Sequence, residues 1–160
     1  MRHIGIDPGL SGAIAVITEE PLQTSLQIHD MPVMTVDRNG KAKRQVSANE
    51  LAELLNLYAG KDCHVYCERV SAMAGQGVTS VFSFGRSFGM IEGILAALKM
   101  PVTFVAPATW TRAIGRSPGK DASRARAMEL FPNYEYFFKR VKDDGRADAA
   151  LIAHWGRKHG

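Results

Sequence analysis

The sequence predicts an α/β fold, a mixed five-stranded sheet flanked by helices, and three observations predict it. "RHIGID" followed by "GAIAVIT" reads as strand, glycine turn, strand, the second running back antiparallel to the first. An amphipathic helix precedes "HVYCE", and a strand reached through a helix lies parallel to the first. From there helices and one short apolar strand alternate, so that a three-stranded meander leads into helix–strand alternation. The 160 residues, 46% hydrophobic and 22% charged, suit a single domain over 1–160 with a substantial core, and argue against disorder.

Each element has a local reason. The first strand runs into Asp7, and Pro8 then breaks it ahead of two glycines. "SLQIHDMPV" supplies a third strand, and "DRNGKAKRQ" (37–45) reads as a basic loop around an Asn-Gly turn. In "SANELAELLNLY", Ser47 is an N-cap and Glu50 completes a capping box, while Leu51, Leu54, Leu55 and Tyr58 form the apolar stripe; Gly60 ends the helix. The stretch 78–98 is long, apolar and helical in period. Its Gly85, Gly89 and Gly93, four apart, point to tight packing on the sheet or on another helix. "VTFV" (102–105) is a short buried strand, and "PATWTRAIG", "DASRARAMELF" and "RADAALIAHWG" are helices.

Composition narrows the partners. No stretch is long and apolar enough to span a bilayer, and the N-terminus lacks the layout of a signal peptide, so a cytoplasmic protein without a membrane partner is expected. Cys63 and Cys67 lie four apart on one strand, roughly 13 Å from each other, too far for a disulfide or a shared metal. They read as buried thiols of a reducing compartment. The net charge of +4 and pI near 9.2 are compatible with a polyanion. Two basic segments, 37–45 and "GRSPGKDASRAR" (115–126), beside a set of acids strengthen nucleic acid as the partner, although either alone could be a solvated loop.

The acids carry the chemistry. Asp7 ends the first strand and Glu68 the strand after the first helix. If these are parallel neighbours, the two carboxylates stand side by side, about 5 Å apart across the ladder, at the edge where open α/β sheets bind ligands. Carboxylates so close repel unless a cation lies between them. In "KDDGRADAALIAHW", Asp148 falls on the same helical face as Asp144, Leu151, Ile152 and Trp155, the face that should meet the core. An acid there needs a metal or a cationic partner. Asp143 or Asp144 could equally cap the helix. Oxygen-only ligands suit Mg²⁺, or Mn²⁺ as its substitute, and two such ions can activate water and stabilise the leaving oxygen of a phosphodiester.

"GIDPGLSGAIAV", "HVYCERV", "GQGVTSVFSFGRSFGMIEGIL", "APATW" and "DDGRADAALIA", in that order, resemble the RuvC-type Holliday-junction resolvases, and more closely the shorter RuvC-like nucleases of phages and prophages. The resemblance covers nearly the whole chain. It implies a ribonuclease H-like fold and a homodimer with two symmetric active sites that nicks two strands of a four-way junction, leaving 5′-phosphate and 3′-hydroxyl ends. If phage-encoded, the enzyme would act in the host cytoplasm. Carried over by motif, the resemblance implies that Asp7, Glu68 and Asp148 are metal ligands at a catalytic site shared by two ions.

Two departures stand out. Bacterial resolvases usually carry their last two acids three apart, but the residue three before Asp148 is Gly145, so the fourth ligand becomes Asp144. A helix that began only at Arg146 would make Asp143 a rival. The bacterial enzymes also place an aromatic wedge shortly after the second acid, where "ERVSAMAGQG" offers Val70, Ser71 and Met73. Lys120 resembles the family's phosphate-contacting lysine, with Arg124 near it. Arg69, Gln76, Arg86 and the loop cations Lys41, Lys43 and Arg44 are further candidates for DNA contact.

Other readings compete with junction cleavage. The same chemistry could serve flaps, other branched DNA or RNA processing. "GIDPG" also resembles the phosphate loop of sugar kinases and actin-like ATPases, but 160 residues leave no room for their second lobe. A non-catalytic DNA-binding module is disfavoured, because its acids would repel phosphates.

Overall fold

The computed structural model describes residues 1–69, 71, 75 and 77–160. Strands β1 (Arg2–Asp7), β2 (Ala13–Glu20) and β3 (Gln23–Asp30) form the expected antiparallel meander. After helix α1 (Ala48–Asn56), strand β6 (Cys63–Glu68) joins β1 in parallel; β7 (Val102–Val105), reached through helix α2 (Val78–Ala97), joins β6 in parallel. The five-stranded order is therefore β3-β2-β1-β6-β7. Helices α3 (Pro107–Ala113), α4 (Ala122–Leu130) and α5 (Asp144–His159) complete the chain.

The alternation of side chains divides the core into two layers. Ile4 and Ile6 of β1 and Val65 and Cys67 of β6 pack toward α1 and α2, with Leu51, Leu55, Ile91 and Leu95. Both cysteines, Cys63 and Cys67, are buried in this layer. On the opposite face Ala13, Ala15, Tyr66, Trp110 and the alanine-rich run Ala147–Ala153 of α5 form the second layer. Small residues let α5 lie directly on the sheet. At Gly5 a Cβ would come within 2.5 Å of the Ala153 amide nitrogen, so only glycine accommodates the approach.

Two sequence expectations are corrected. The basic loop is a hairpin: β4 (Val33–Arg38) and β5 (Lys41–Val46) pair antiparallel as a separate two-stranded sheet. Its turn uses Asn39 and Gly40 at φ 56° and 72°, the left-handed pair that a two-residue hairpin turn requires. The third strand accordingly stops at Asp30. In α2, a Cβ added at Gly85, Gly89 or Gly93 would meet nothing within 4 Å among the described residues, so these glycines mark no tight contact there. They line an open face with Val78 (86% exposed) and Phe82 (68% exposed). Among the described residues no helix is long and apolar enough to cross a membrane.

Candidate active site at the sheet rim

The parallel register sets the first two acids. Ile6 pairs with Cys67, so Asp7 and Glu68 are the next residues at the same level. Both follow the parity of Gly5 and Tyr66, the residues that face α5. The Gly9 amide donates to Asp7 Oδ1 at 3.3 Å, and Trp110 Nε1 donates to Glu68 Oε1 at 3.4 Å.

α5 brings the remaining acids. It begins at Asp144, which puts Asp144 and Asp148 one turn apart on one face. Gly145 explains why the acid spacing is four. A Cβ at 145 would overlap the Ser11 carbonyl oxygen and come 2.7 Å from the Gly12 Cα, so no side chain fits against the turn after β1. Asp143 has a different task. Its 1% exposed carboxylate accepts from the Arg140 backbone amide at 2.9 Å and from Arg140 Nη2 at 2.8 Å. Burial pushes Asp143 upward, but these bonds and the Arg140 and Arg146 charges outweigh it and hold it below the usual carboxylate range.

The electrostatics show mutual repulsion. Burial, then the Asp148 charge, raises Asp7 from 3.8 to about 6. Burial, then Asp7 and Asp148, raises Glu68 from 4.5 to about 7. Burial also raises Asp148, while Ser123 and Arg116 pull it the other way. Among the described residues Asp148 Oδ1 is buried without a hydrogen-bond partner. An orphaned oxygen beside two repelling carboxylates suits a hard cation in chemistry. As the side chains stand, no group of three or more acidic, histidine or cysteine residues among the described residues has the geometry to hold an ion. The Asp144 carboxylate is engaged elsewhere: Arg124 Nε donates to its Oδ1 at 2.8 Å.

The repulsion predicts a pH dependence. Between about pH 4 and 6 the folded protein keeps an Asp7 proton that the unfolded chain has released, so this acid lowers stability as pH rises. His3, His29 and His154, held below their ordinary values by burial, act in the opposite direction. The Asp7 share is therefore read from the difference between wild type and Asp7→Asn. In EDTA the variant should match wild type near pH 4 and exceed it by roughly 1–3 kcal/mol at pH 8, as urea unfolding would report.

The expected DNA-contacting residues separate into groups. Lys120, Arg69, Lys41, Lys43 and Arg44 are exposed, and exposed Arg86 donates to Gln45 at 3.0 Å, tying α2 to the hairpin. Gln76, Val70 and Met73 lie outside the described residues. Arg124, expected near Lys120 as a DNA contact, is buried in the structure: 8% exposed, it bonds Asp144 and Asp121. Trp110, Arg116 and Ser123 were not foreseen. Arg116 Nε donates to Ser123 Oγ at 2.6 Å, which sets a cation and a hydroxyl behind Asp148. Arg140 and Lys142 were also missed. They line, with Arg44, Asp144 and Arg146, a cleft of about 570 Å³ beside the rim.

Comparison with known proteins bears on the fold. No family model matches the chain. Over 92 residues, 56% of the chain, it is 34% identical to the protein named Holliday junction resolvase MOC1, chloroplastic, from Chlamydomonas reinhardtii. The matched stretch is 10% of that relative's length. The Thermus thermophilus RuvC structure superposes with a TM-score of 0.59 at 14% identity, over 99% of this chain and 96% of that one. T. thermophilus RuvC in complex with Holliday junction substrate gives 0.62 at 14% identity, over 100% and 97%. The fold is thus the ribonuclease H-like fold of RuvC.

Proposed function

We propose that this chain is a RuvC-type, divalent-cation-dependent DNA endonuclease that resolves four-way junctions by paired nicks, leaving 5′-phosphate ends. The observation that carries the reading is the convergence of Asp7, Glu68 and Asp148 from β1, β6 and α5 at one sheet rim, with an orphaned oxygen on Asp148. The RuvC fold and the junction-resolvase relative support it. Asp7, Glu68 and Asp148 would hold Mg²⁺ or Mn²⁺, with Asp144 joining once released from Arg124. Bound there, the cations supply a nucleophilic water and charge neutralisation at the phosphodiester.

The chain's own residues do the rest. Trp110 fixes the Glu68 carboxylate, and Ser123 with Arg116 steadies Asp148. The hairpin cations Lys41, Lys43 and Arg44, together with Lys120, Arg69 and Arg86, would bind phosphates along the arms of branched DNA. Paired nicks need two sites, and a second copy would seat on the open glycine face of α2, where Val78 and Phe82 are exposed.

The test is cleavage of a synthetic four-way junction with mapped nick positions, run beside a flap, a linear duplex and an RNA–DNA hybrid in Mg²⁺. Paired nicks at symmetric positions of the junction, with at most weak cutting of the others, are expected. Preferential cutting of flaps or hybrids would transfer the chemistry to a broader branched-DNA or RNA-processing role. Tight junction binding without cleavage in Mg²⁺ or Mn²⁺ would reject the enzyme.

A further inference from the structure

Two clefts meet at the turn after β1, and their chemistry differs. The cleft of about 570 Å³ on the hairpin side is lined by Arg44, Arg140, Lys142, Asp144 and Arg146. The other, of about 520 Å³, lies between Pro8, Leu10 and Ser11 and the α2 residues Ser80, Ser83 and Phe84. Leu10 and Ser11 belong to both walls. Among the described residues no ionisable side chain lines the second cleft. It begins at Pro8, the residue next to Asp7.

A nucleotide beside a scissile phosphate has an anionic part and a neutral, aromatic part. The charged cleft, where Arg44, Arg140, Lys142 and Arg146 stand against the carboxylates of Asp30, Asp143 and Asp144, has cations for the first; the neutral cleft suits only the second. Serine hydroxyls both donate and accept, as the edge of a base requires, and an aromatic ring gives its face a stacking surface. The volume falls in the range of pockets that enclose small ligands. Ser83 and Phe84 lie on the side of α2 nearly opposite the glycine face, since residues step about 100° along a helix. A second copy seated on the glycines therefore leaves this cleft open.

We propose that the neutral cleft holds an unpaired nucleobase flanking the cut phosphodiester, with Phe84 as its stacking surface. The inference rests on the reading of the chain as a junction nuclease. It makes this cleft a determinant of where a strand is cut, because a base that fills it positions the adjacent phosphate over the acids.

The test removes each partner separately. Junctions carrying the preferred sequence, or an abasic nucleotide beside the cut, are cleaved by wild type and by Phe84→Leu in Mg²⁺ under single-turnover conditions. Phe84 is 36% exposed, and a melting curve checks that the variant is folded. The abasic junction should slow wild type by about 10-fold, Phe84→Leu should slow cleavage of the intact junction similarly, and the combination should be little slower than either. Independent, multiplying effects, or no effect of either change, would overturn the base site while leaving junction cleavage by wild type intact. If wild type cuts no intact junction, the nuclease reading itself fails and takes this inference with it.

Discussion

Asp7→Asn should abolish junction cleavage, by a factor on the order of 10³ or more, while leaving junction binding within a few-fold of wild type. The amide keeps the shape of the side chain and its acceptor for the Gly9 amide, but loses the charge that a divalent cation needs. Binding should survive because, on the proposed function, the exposed cations of the hairpin and the Lys120 segment would contact phosphates without it. The same substitution removes one of three mutually repelling acids, so the inactive variant should be more stable than the active protein at pH 8. Loss of function with gain of stability distinguishes a functional carboxylate from a structural one. Parallel gel-shift, cleavage and urea-unfolding measurements on one preparation check all three.

Gly145→Ala should be strongly damaging for so small a substitution. Its Cβ overlaps the Ser11 carbonyl oxygen, and the backbone of neither α5 nor the turn after β1 can yield without moving the other. A loss of roughly 2–4 kcal/mol is expected, with cleavage reduced further than stability alone explains, because Asp144 and Asp148 move relative to Asp7. Gly89→Ala provides the contrast. Among the described residues nothing lies within 4 Å of its added Cβ, so the monomer should gain about 0.5–1 kcal/mol of helix stability. Urea denaturation of the two variants against wild type, with cleavage rates for the first, reads both effects.

What the sequence made legible was whatever local pattern and strand register determine. The parity of β1 and β6 and the crossover through α1 were enough to bring Asp7 and Glu68 to one edge. The 3.6-residue period placed Asp148 on the core-facing side of α5. The spacing of the last acids looked like a departure until the packing of Gly145 on the Ser11 carbonyl showed that position 145 has no room for a side chain. Other features depend on contacts between distant segments, which no periodicity reports. Arg124 looks like a solvated cation on a basic helix; it is turned inward because Asp144, twenty residues on, supplies its counter-charge. Asn39-Gly40 signalled a turn, but its flanks are so rich in Lys and Arg that they read as loop rather than strand. The glycines of α2 carry no mark of whether they face a sheet, a neighbour or solvent.

On the proposed function, divalent cations would be held among Asp7, Glu68 and Asp148. Anomalous scattering from crystals soaked in Mn²⁺ measures this directly. One or two peaks within coordination distance of those carboxylates are predicted, with Asp144 swung from Arg124 toward them and the peaks lost in Asp148→Asn. A junction-cleaving protein whose crystals bind Mn²⁺ only elsewhere, or whose peaks survive Asp148→Asn unchanged, would contradict it.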